Sequence, residues 1–189
     1  MHFEFTSQRK TLSKQAAFSL LELLIVITIL GIVATVAIPS MSSTSINQLE
    51  LAAEEMAEAM SFARSEAKRT GLPHGFRQQS GAKRIRVFRP DTTVSPWALI
   101  YDIYHPISKK LYDIEFDAHP FARVDTISRT PTFFGTCNQT GNIYFDGNGV
   151  PRCTDPETVL LSKFAVTLTL GKHSRVVTLN GITGRVSVQ

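Results

Sequence analysis

Apolar residues dominate one long stretch near the start of the chain. Residues 18–38, FSLLELLIVITILGIVATVAI, form a run of 21 residues with one charged side chain, Glu22. About 20 apolar residues in a helix span the hydrocarbon core of a bilayer. The apolar core of a cleaved secretory signal is shorter, at about 7 to 15 residues. The pattern predicts a transmembrane helix over 18–38 that is kept as an anchor.

The charges around this stretch predict its orientation. Residues 1–17 contain Arg9, Lys10 and Lys14, and basic flanks stay on the cytoplasmic side of a membrane. We therefore expect a cytoplasmic N-terminus and a following domain on the other side. A carboxylate within a span costs roughly 2.5 kcal/mol or more, so Glu22 needs a partner. The simpler alternative is an ordinary anchor whose Glu22 is close enough to the cytoplasmic end for snorkelling to lower that cost.

A helical pattern follows a Ser/Thr-rich bridge over residues 40–45. Apolar residues recur at steps of three and four: Leu49, Ala53, Met56, Met60, Ala63 and Ala67. This spacing places them on one face and predicts a helix over Ile46–Thr70, which Gly71 and Pro73 terminate.

The apolar stretch and this second pattern predict one long N-terminal helix. Residues 39–70 would continue the helix of the anchor, loosened around Gly31 and Pro39. Its second half would present the apolar face to a sheet.

From residue 71 the period of the pattern changes to about two, which is typical of strands. The predicted strands are Gly75–Gln79, Arg84–Phe88, Ala98–Tyr104, Phe121–Ile127, Asn142–Phe145, Lys163–Leu170, Ser174–Leu179 and Arg185–Val188. The clearest alternation lies in 163–170, and Gly171–His173 turns the chain into the next strand. We expect an α+β class, with residues 71–189 forming one β-rich domain whose antiparallel sheet packs on the helix.

The N-terminal residues carry a family resemblance. Ala17, Phe18, Ser19, Leu20, Leu21 and Glu22, with Gly31 in mid-helix and Pro39 at its end, resemble a type IV prepilin. The resemblance implies the type IV pilin fold and a leader over 1–17. It implies that prepilin peptidase cuts between Ala17 and Phe18 and N-methylates Phe18. Glu22 would then pair with the Phe18 amine of a neighbouring subunit and set the assembly register. The family usually has Gly where this chain has Ala17.

Two further segments narrow the resemblance. Residues 63–67, ARSEA, and 184–186, GRV, are similar to the GspH/FimT group of minor pseudopilins. This implies a structural subunit, not an enzyme, anchored in the bacterial inner membrane with a periplasmic domain. Its partners would be prepilin peptidase and other minor and major pilins or pseudopilins, in filament assembly or its tip complex. Type II secretion pseudopili and type IV pili share this anchor and processing signal, so both remain open.

The two cysteines, Cys137 and Cys153, predict a disulfide, because the expected topology exports both to an oxidising compartment. Closing a loop of about 15 residues contributes roughly 3 kcal/mol in the chain-entropy interpretation. Two metal-binding thiols are a weaker alternative, since the chain has no CxxC and no ligand-spaced histidine pair.

An EF-hand register starting at Asp146 fails because Val150 and Pro151 occupy its fifth and sixth positions. We predict no metal.

The sequence contains no catalytic signature. GxSxG, HExxH and phosphate-loop motifs are absent from it. The histidines that follow the anchor are isolated: His74, His105, His119 and His173. The chain therefore reads as non-enzymatic, with no cofactor.

The C-terminal charges suggest DNA as a possible partner. Residues 158–189 contain four basic and no acidic side chains, and clustered cations bind phosphates. Some FimT-like pilins bind DNA for uptake in natural transformation, and the resemblance places this on a Gly-Arg-x-Arg pattern. Gly184 and Arg185 match it, whereas Ser187 replaces the second arginine. The candidate DNA-binding residues are Lys172, Arg175 and Arg185.

A second basic segment lies in the middle of the chain. It contains Lys83, Arg84, Arg86 and Arg89. Exposed cations are common on antiparallel strands, so we interpret this segment as a solvated sheet face.

Overall fold

The computed structural model describes residues 20–36 and 41–189 and divides the chain into two units, Met1–Ser40 and Met41–Gln189. In the first unit, α1 spans Leu20–Val36. Its side chains are exposed throughout 20–31, apolar ones included, with Leu20 83% and Leu30 61% exposed. No helix among the described residues combines the length and apolarity that a membrane crossing requires.

The second unit begins with α2, which spans Met41–Thr70. The helix begins at Met41, before the predicted start at Ile46, so residues 41–45 of the Ser/Thr-rich segment are helical. The weak helix propensity of Ser and Thr is a small effect that neighbouring helical residues outweigh. The predicted apolar face is confirmed, and it also includes Ala52 and Ala59, which were not predicted. Each member is at most 1% exposed: Leu49, Ala52, Ala53, Met56, Ala59, Met60, Ala63 and Ala67. The helix ends where the Gly71 amide donates to the Ala67 carbonyl at 2.9 Å.

Ten strands follow. They are β1 His74–Gln79, β2 Arg84–Asp91, β3 Ala98–Ile100, β4 Asp113–Glu115, β5 Thr126–Phe133, β6 Asn142–Phe145, β7 Pro151–Cys153, β8 Leu161–Leu170, β9 His173–Asn180 and β10 Val186–Val188. All pairings are antiparallel, in two sheets. The first has the order β3-β2-β1-β6-β7, with β4 also against β2, and the second has the order β10-β9-β8-β5. The predicted α+β class, a helix packed on antiparallel sheet, is confirmed.

Two strand predictions need correction, and two short strands were not predicted. The predicted strand over Phe121–Ile127 is wrong in its bounds, because β5 begins at Thr126 and extends to Phe133. Its outer position in the sheet tolerates Pro131, which cannot donate to a ladder. The strand predicted to reach Tyr104 ends at Ile100. The sequence did not predict β4 or β7, which have three residues each and offer no alternation.

The core lies between α2 and both sheets. The helix packs against β1, β2 and β6 of the first sheet and against β8, β9 and β10 of the second. Phe76 of β1 connects the two sheets, since its ring centroid lies 6.2 Å from that of Phe145 and 5.5 Å from that of Phe164. All three rings are fully buried. The position of every surface described below depends on this core.

Replacing Phe76 tests the junction of the two sheets. Phe76→Ala should lower the free energy of unfolding by about 3 to 5 kcal/mol, because a buried ring leaves a cavity that its neighbours fill only in part. Phe134→Ala is the matched control, since that ring is 66% exposed and should cost less than about 0.5 kcal/mol. Chemical denaturation of the full chain measures both. Equal losses in the two variants would contradict the assignment of Phe76 to the core.

Candidate functional site

Arg64 connects the segment 63–67 of α2 with the turn before the segment 184–186. It lies in α2 within residues 63–67, and its Nη2 donates to the Thr183 carbonyl at 2.6 Å, next to residues 184–186. Its Nε donates to the Gly149 carbonyl at 3.2 Å. One side chain therefore ties the helix to the β6–β7 turn and to the β9–β10 turn.

Glycine is required at both of these turns. Gly149 and Gly184 have φ angles of 76° and 64°, a left-handed conformation that glycine adopts without a steric penalty. A Cβ on Gly184 would collide with the Arg64 guanidinium, and one on Gly149 would collide with the aliphatic part of Lys68. The two glycines thus let the turns approach the helix closely.

Cationic side chains converge beside this junction. Arg64, Lys68 and Arg185, with Ser61 and Ser65, line a cavity of about 310 Å³ that we call the basic recess. The part of the chain that the structure describes contributes no carboxylate to its lining. The recess is therefore a local positive surface suited to an anion.

The nearest acidic side chain on the same stretch of helix is already paired. Glu66 accepts a hydrogen bond from Arg69 Nη2 at 2.6 Å. This bond outweighs the effect of partial burial and holds the pKa of Glu66 below its usual value. Glu66 therefore stays charged and pairs with Arg69. Its charge does not neutralise the cations of the basic recess.

The structure does not bring the three predicted DNA-binding residues together. Lys172 is exposed in the turn before β9, whereas Arg185 follows the opposite end of that strand, which is about 26 Å long. Arg175 is half-buried, and its Nε donates to Glu50 Oε2 of α2 at 2.5 Å. Arg185 instead lies with Arg64 and Lys68. The sequence signal for this grouping was the i, i+4 spacing of Arg64 and Lys68 on one helix face.

The second basic segment has partners throughout. Lys83 pairs with Asp117 at 2.9 Å, Arg84 pairs with Asp113, Arg89 pairs with Asp102 at 2.7 Å, and the Arg86 guanidinium lies 4.0 Å from the Tyr101 ring centroid. Exposed pairs of this kind contribute little to stability. Three of the four cations therefore have acidic partners, and Arg86 packs on an aromatic ring.

The predicted disulfide is present and joins Cys137 to Cys153, whose Cα atoms are 5.9 Å apart. Cys153 is fully buried at the end of β7. The bond therefore fixes the loop that precedes β6 to the last strand of the first sheet.

Asp146 is occupied by its own turn. Its Oδ1 accepts hydrogen bonds from the amides of Asn148 and Val150, both at 3.0 Å, and its Oδ2 accepts one from Arg152 Nε at 2.9 Å. Burial by itself raises the pKa of Asp146, but these donors outweigh it and hold the pKa below the usual value. Within residues 20–36 and 41–189, no group of three His, Cys, Asp or Glu side chains is placed to hold a metal ion.

The assembly residues lie in the first unit. Glu22 is exposed in the first turn of α1. A Cβ on Gly31 would meet no atom within 4 Å. Ala17, Phe18 and Pro39 lie outside the described residues. The processing and assembly roles of these five residues stay predictions.

Comparison with known families supports the N-terminal interpretation. Residues 12–38 match the prokaryotic N-terminal methylation motif. This match covers the predicted cleavage position, the apolar stretch and Glu22.

Solved structures with a similar fold come from two bacteria. The type IV minor pilin FimU of Pseudomonas aeruginosa PAO1, in one crystal form, is 18% identical over 77% of this chain and 91% of its own, with a TM-score of 0.49. The minor pseudopilin EpsH from the type 2 secretion system of Vibrio cholerae is 10% identical over 75% of this chain and 96% of its own, with a TM-score of 0.48. No curated protein matches the chain significantly. Likeness at this level carries no functional argument.

The Asp146 turn predicts a specific dependence of stability on pH. The pKa of Asp146 is lower in the folded chain than in the unfolded one, where Asp titrates near pH 4. Its carboxylate therefore stabilises the fold above about pH 4, and this contribution is lost as the pH falls through the lowered folded-state pKa.

Asp146→Asn should thus lower the free energy of unfolding at pH 7 by about 1 kcal/mol and reduce its fall on acidification. Denaturation at several pH values between 7 and 3 measures this. Asp117→Asn is the control, because that carboxylate is 54% exposed in its pair with Lys83. An unchanged pH profile for Asp146→Asn would contradict the interpretation.

Proposed function

We propose that this chain is a minor pilin or pseudopilin, a non-enzymatic structural subunit of a type IV pilus or a type II secretion pseudopilus. The observation that carries the proposal is the methylation motif over residues 12–38. It covers the apolar stretch over 18–38, which precedes a helix-and-sheet domain. The domain would contribute to filament assembly or to the tip complex through contacts with neighbouring subunits.

The surface of α1 supports an anchoring role for residues 18–38 in the bacterial inner membrane. Apolar side chains are exposed on all sides of the described part of this helix. Each Å² of apolar surface left in water costs about 25 cal/mol, and a helix that is apolar all round needs apolar surroundings. Lipid supplies them before assembly, and the helices of neighbouring subunits supply them afterwards. The leader would remain cytoplasmic and the domain would lie in the periplasm.

Processing would create the partner that Glu22 requires. Cleavage by prepilin peptidase between Ala17 and Phe18 frees an amine, and methylation of Phe18 keeps that amine basic. The Glu22 carboxylate of one subunit would pair with the Phe18 amine of the next. Because an unpaired charge in an apolar medium is costly, only one axial register of the two helices satisfies both groups.

Glu22→Ala tests this role. The variant should still enter the membrane, because it loses only a charge from an apolar stretch, but it should no longer be incorporated efficiently. Membrane fractionation followed by crosslinking and copurification of the other pilin subunits measures the two steps separately. Glu54→Ala is the matched control, since Glu54 is exposed in α2. Normal incorporation of Glu22→Ala would contradict the pairing.

A DNA-binding minor pilin used in natural transformation is the second candidate. The basic recess favours it, because Arg64, Lys68 and Arg185 converge without a carboxylate in the lining. Of the residues proposed from the sequence, Arg185 belongs to this surface, whereas Arg175 is paired with Glu50. DNA would be held through phosphates, independently of its sequence.

A mobility-shift titration with the full chain tests this candidate. Arg185→Gln and Lys68→Gln should each weaken binding about equally for any DNA sequence and lower the slope of log affinity against log salt by about 1. Lys83→Gln is the control, because Lys83 is paired with Asp117 outside the recess. An absence of binding at low salt, or the same loss in the control, would exclude this function for the recess.

A further inference from the structure

A groove crosses the outer face of the first sheet, where β1 and β6 pair and Arg77 lies opposite Asn142. Two cavities of about 360 and 180 Å³ share Arg77, Gln139 and Asn142 in their linings, so they adjoin. Arg129 lines the larger cavity, and Trp97 and Thr154 line the smaller one. We call this surface the Arg77 groove.

Two arginines of the groove have no acidic partner. No carboxylate among the described residues lies within 4 Å of the Arg77 or Arg129 guanidinium, unlike those of Arg84 and Arg89. Arg77 Nη1 lies 3.5 Å from the Tyr101 hydroxyl, and Arg129 Nη1 donates to the Gln78 carbonyl at 2.6 Å. Their remaining N–H groups are available to an anion, and the planar fork of guanidinium matches a carboxylate.

Two almost fully buried polar side chains line the smaller cavity. Asn142 is 6% exposed and Thr154 is 4% exposed. Asn142 Nδ2 donates to Gln139 Oε1 at 3.0 Å, whereas Asn142 Oδ1 and Thr154 Oγ1 have no hydrogen-bond partner within the described chain. Buried polar atoms are nearly always paired, so these two oxygens retain unused hydrogen-bonding capacity in residues that line the smaller cavity.

An aromatic side chain completes the wall of the groove. Trp97, the one tryptophan of the chain, is half-buried and packs edge-on against Tyr144 with ring centroids 5.0 Å apart. This contact fixes the indole in place. An indole face offers an apolar surface to the C–H groups of a sugar ring.

The disulfide holds the opposite wall. Gln139 follows Cys137 in the loop before β6, and Thr154 follows Cys153 directly. Asp155 also lines the smaller cavity, and its carboxylate accepts a hydrogen bond from Asn138 Nδ2 at 3.3 Å. The cross-link therefore keeps the polar groups of this loop at a constant distance from Arg77.

From these observations we infer that the Arg77 groove binds a carboxylate-bearing saccharide. Arg77 and Arg129 bind the carboxylate, while Asn142, Thr154 and Gln139 exchange hydrogen bonds with ring hydroxyls. The sugar ring packs on Trp97. The cavity volumes suit one or two sugar rings, and a lining rich in amides and hydroxyls favours a polyhydroxylated ligand over a nucleic acid. This activity is independent of subunit assembly and of the basic recess.

Trp97 provides a direct readout of binding. The full chain, in a detergent without sugar headgroups, is titrated with trigalacturonate while tryptophan fluorescence is followed. We expect a saturable change and at least about tenfold weaker binding of neutral maltotriose, because the charge-assisted bonds to the carboxylate are missing. Reduction of the disulfide should weaken trigalacturonate binding as well. No saturable response to trigalacturonate would overturn the inference.

Charge variants locate the site. Arg77→Gln and Arg129→Gln should each weaken trigalacturonate binding by about tenfold. Arg123→Gln is the matched control with the same loss of charge on an exposed side chain outside the groove, and its affinity should be unchanged. Arg77→Lys keeps the charge but loses the planar fork of the guanidinium. It replaces Arg77→Gln in the titration if circular dichroism shows that Arg77→Gln is unfolded. Equal effects of Arg123→Gln would overturn the assignment.

Competing ligands distinguish other chemistries. If inorganic phosphate displaces trigalacturonate at similar concentrations, the groove is a simple anion site. If an oligodeoxythymidylate binds more tightly than trigalacturonate, the groove is a nucleic-acid site. Either result would overturn the assignment of an acidic saccharide. Equal affinity for maltotriose and trigalacturonate would overturn it as well.

Discussion

The burial of one face of α2 against both sheets is the constraint on which the rest of the domain depends. Five of the buried residues, Ala52, Ala53, Ala59, Ala63 and Ala67, have small side chains, so the strands can approach the helix axis closely. This approach brings the turns at Gly149 and Gly184 within reach of Arg64. The tie across these turns, and the basic recess beside it, exist only because the helix lies that close.

The elements with strong periodicity could be predicted, and the weakly periodic ones could not. The alternation in 163–170 gave β8 to within two residues at its start, and the three- and four-residue steps gave the buried face of α2. The Thr-rich strand β5 shows little apolar alternation, because Arg129 and Pro131 occupy two of the four positions on its more buried face. Its pairing with β8 fixes it instead, and such tertiary pairing leaves no local signal.

Charge along the sequence was a poor guide to charge on the surface. Residues 158–189 contain no acid, yet Arg175 is neutralised by Glu50, which is 125 residues away. The reverse holds for Arg185, which gains Arg64 and Lys68 as cationic neighbours from the distant helix. The cysteines were more predictable, because the predicted export to an oxidising compartment favours a disulfide when a domain has two thiols. The contribution of the disulfide to the Arg77 groove could not be predicted from the sequence, because it depends on how the fold places Gln139 and Thr154 beside Arg77.

The alternation of β1 separates folding from binding in this domain. Phe76 points into the core between the sheets, whereas its neighbour Arg77 lines the groove on the outer face, as successive residues of a strand must. A substitution of Arg77 therefore changes the outer face without removing a side chain from the core. A scaffold whose inner face is fixed by α2 can thus change its outer face without loss of the fold. Surface activity can then differ between subunits that share this architecture.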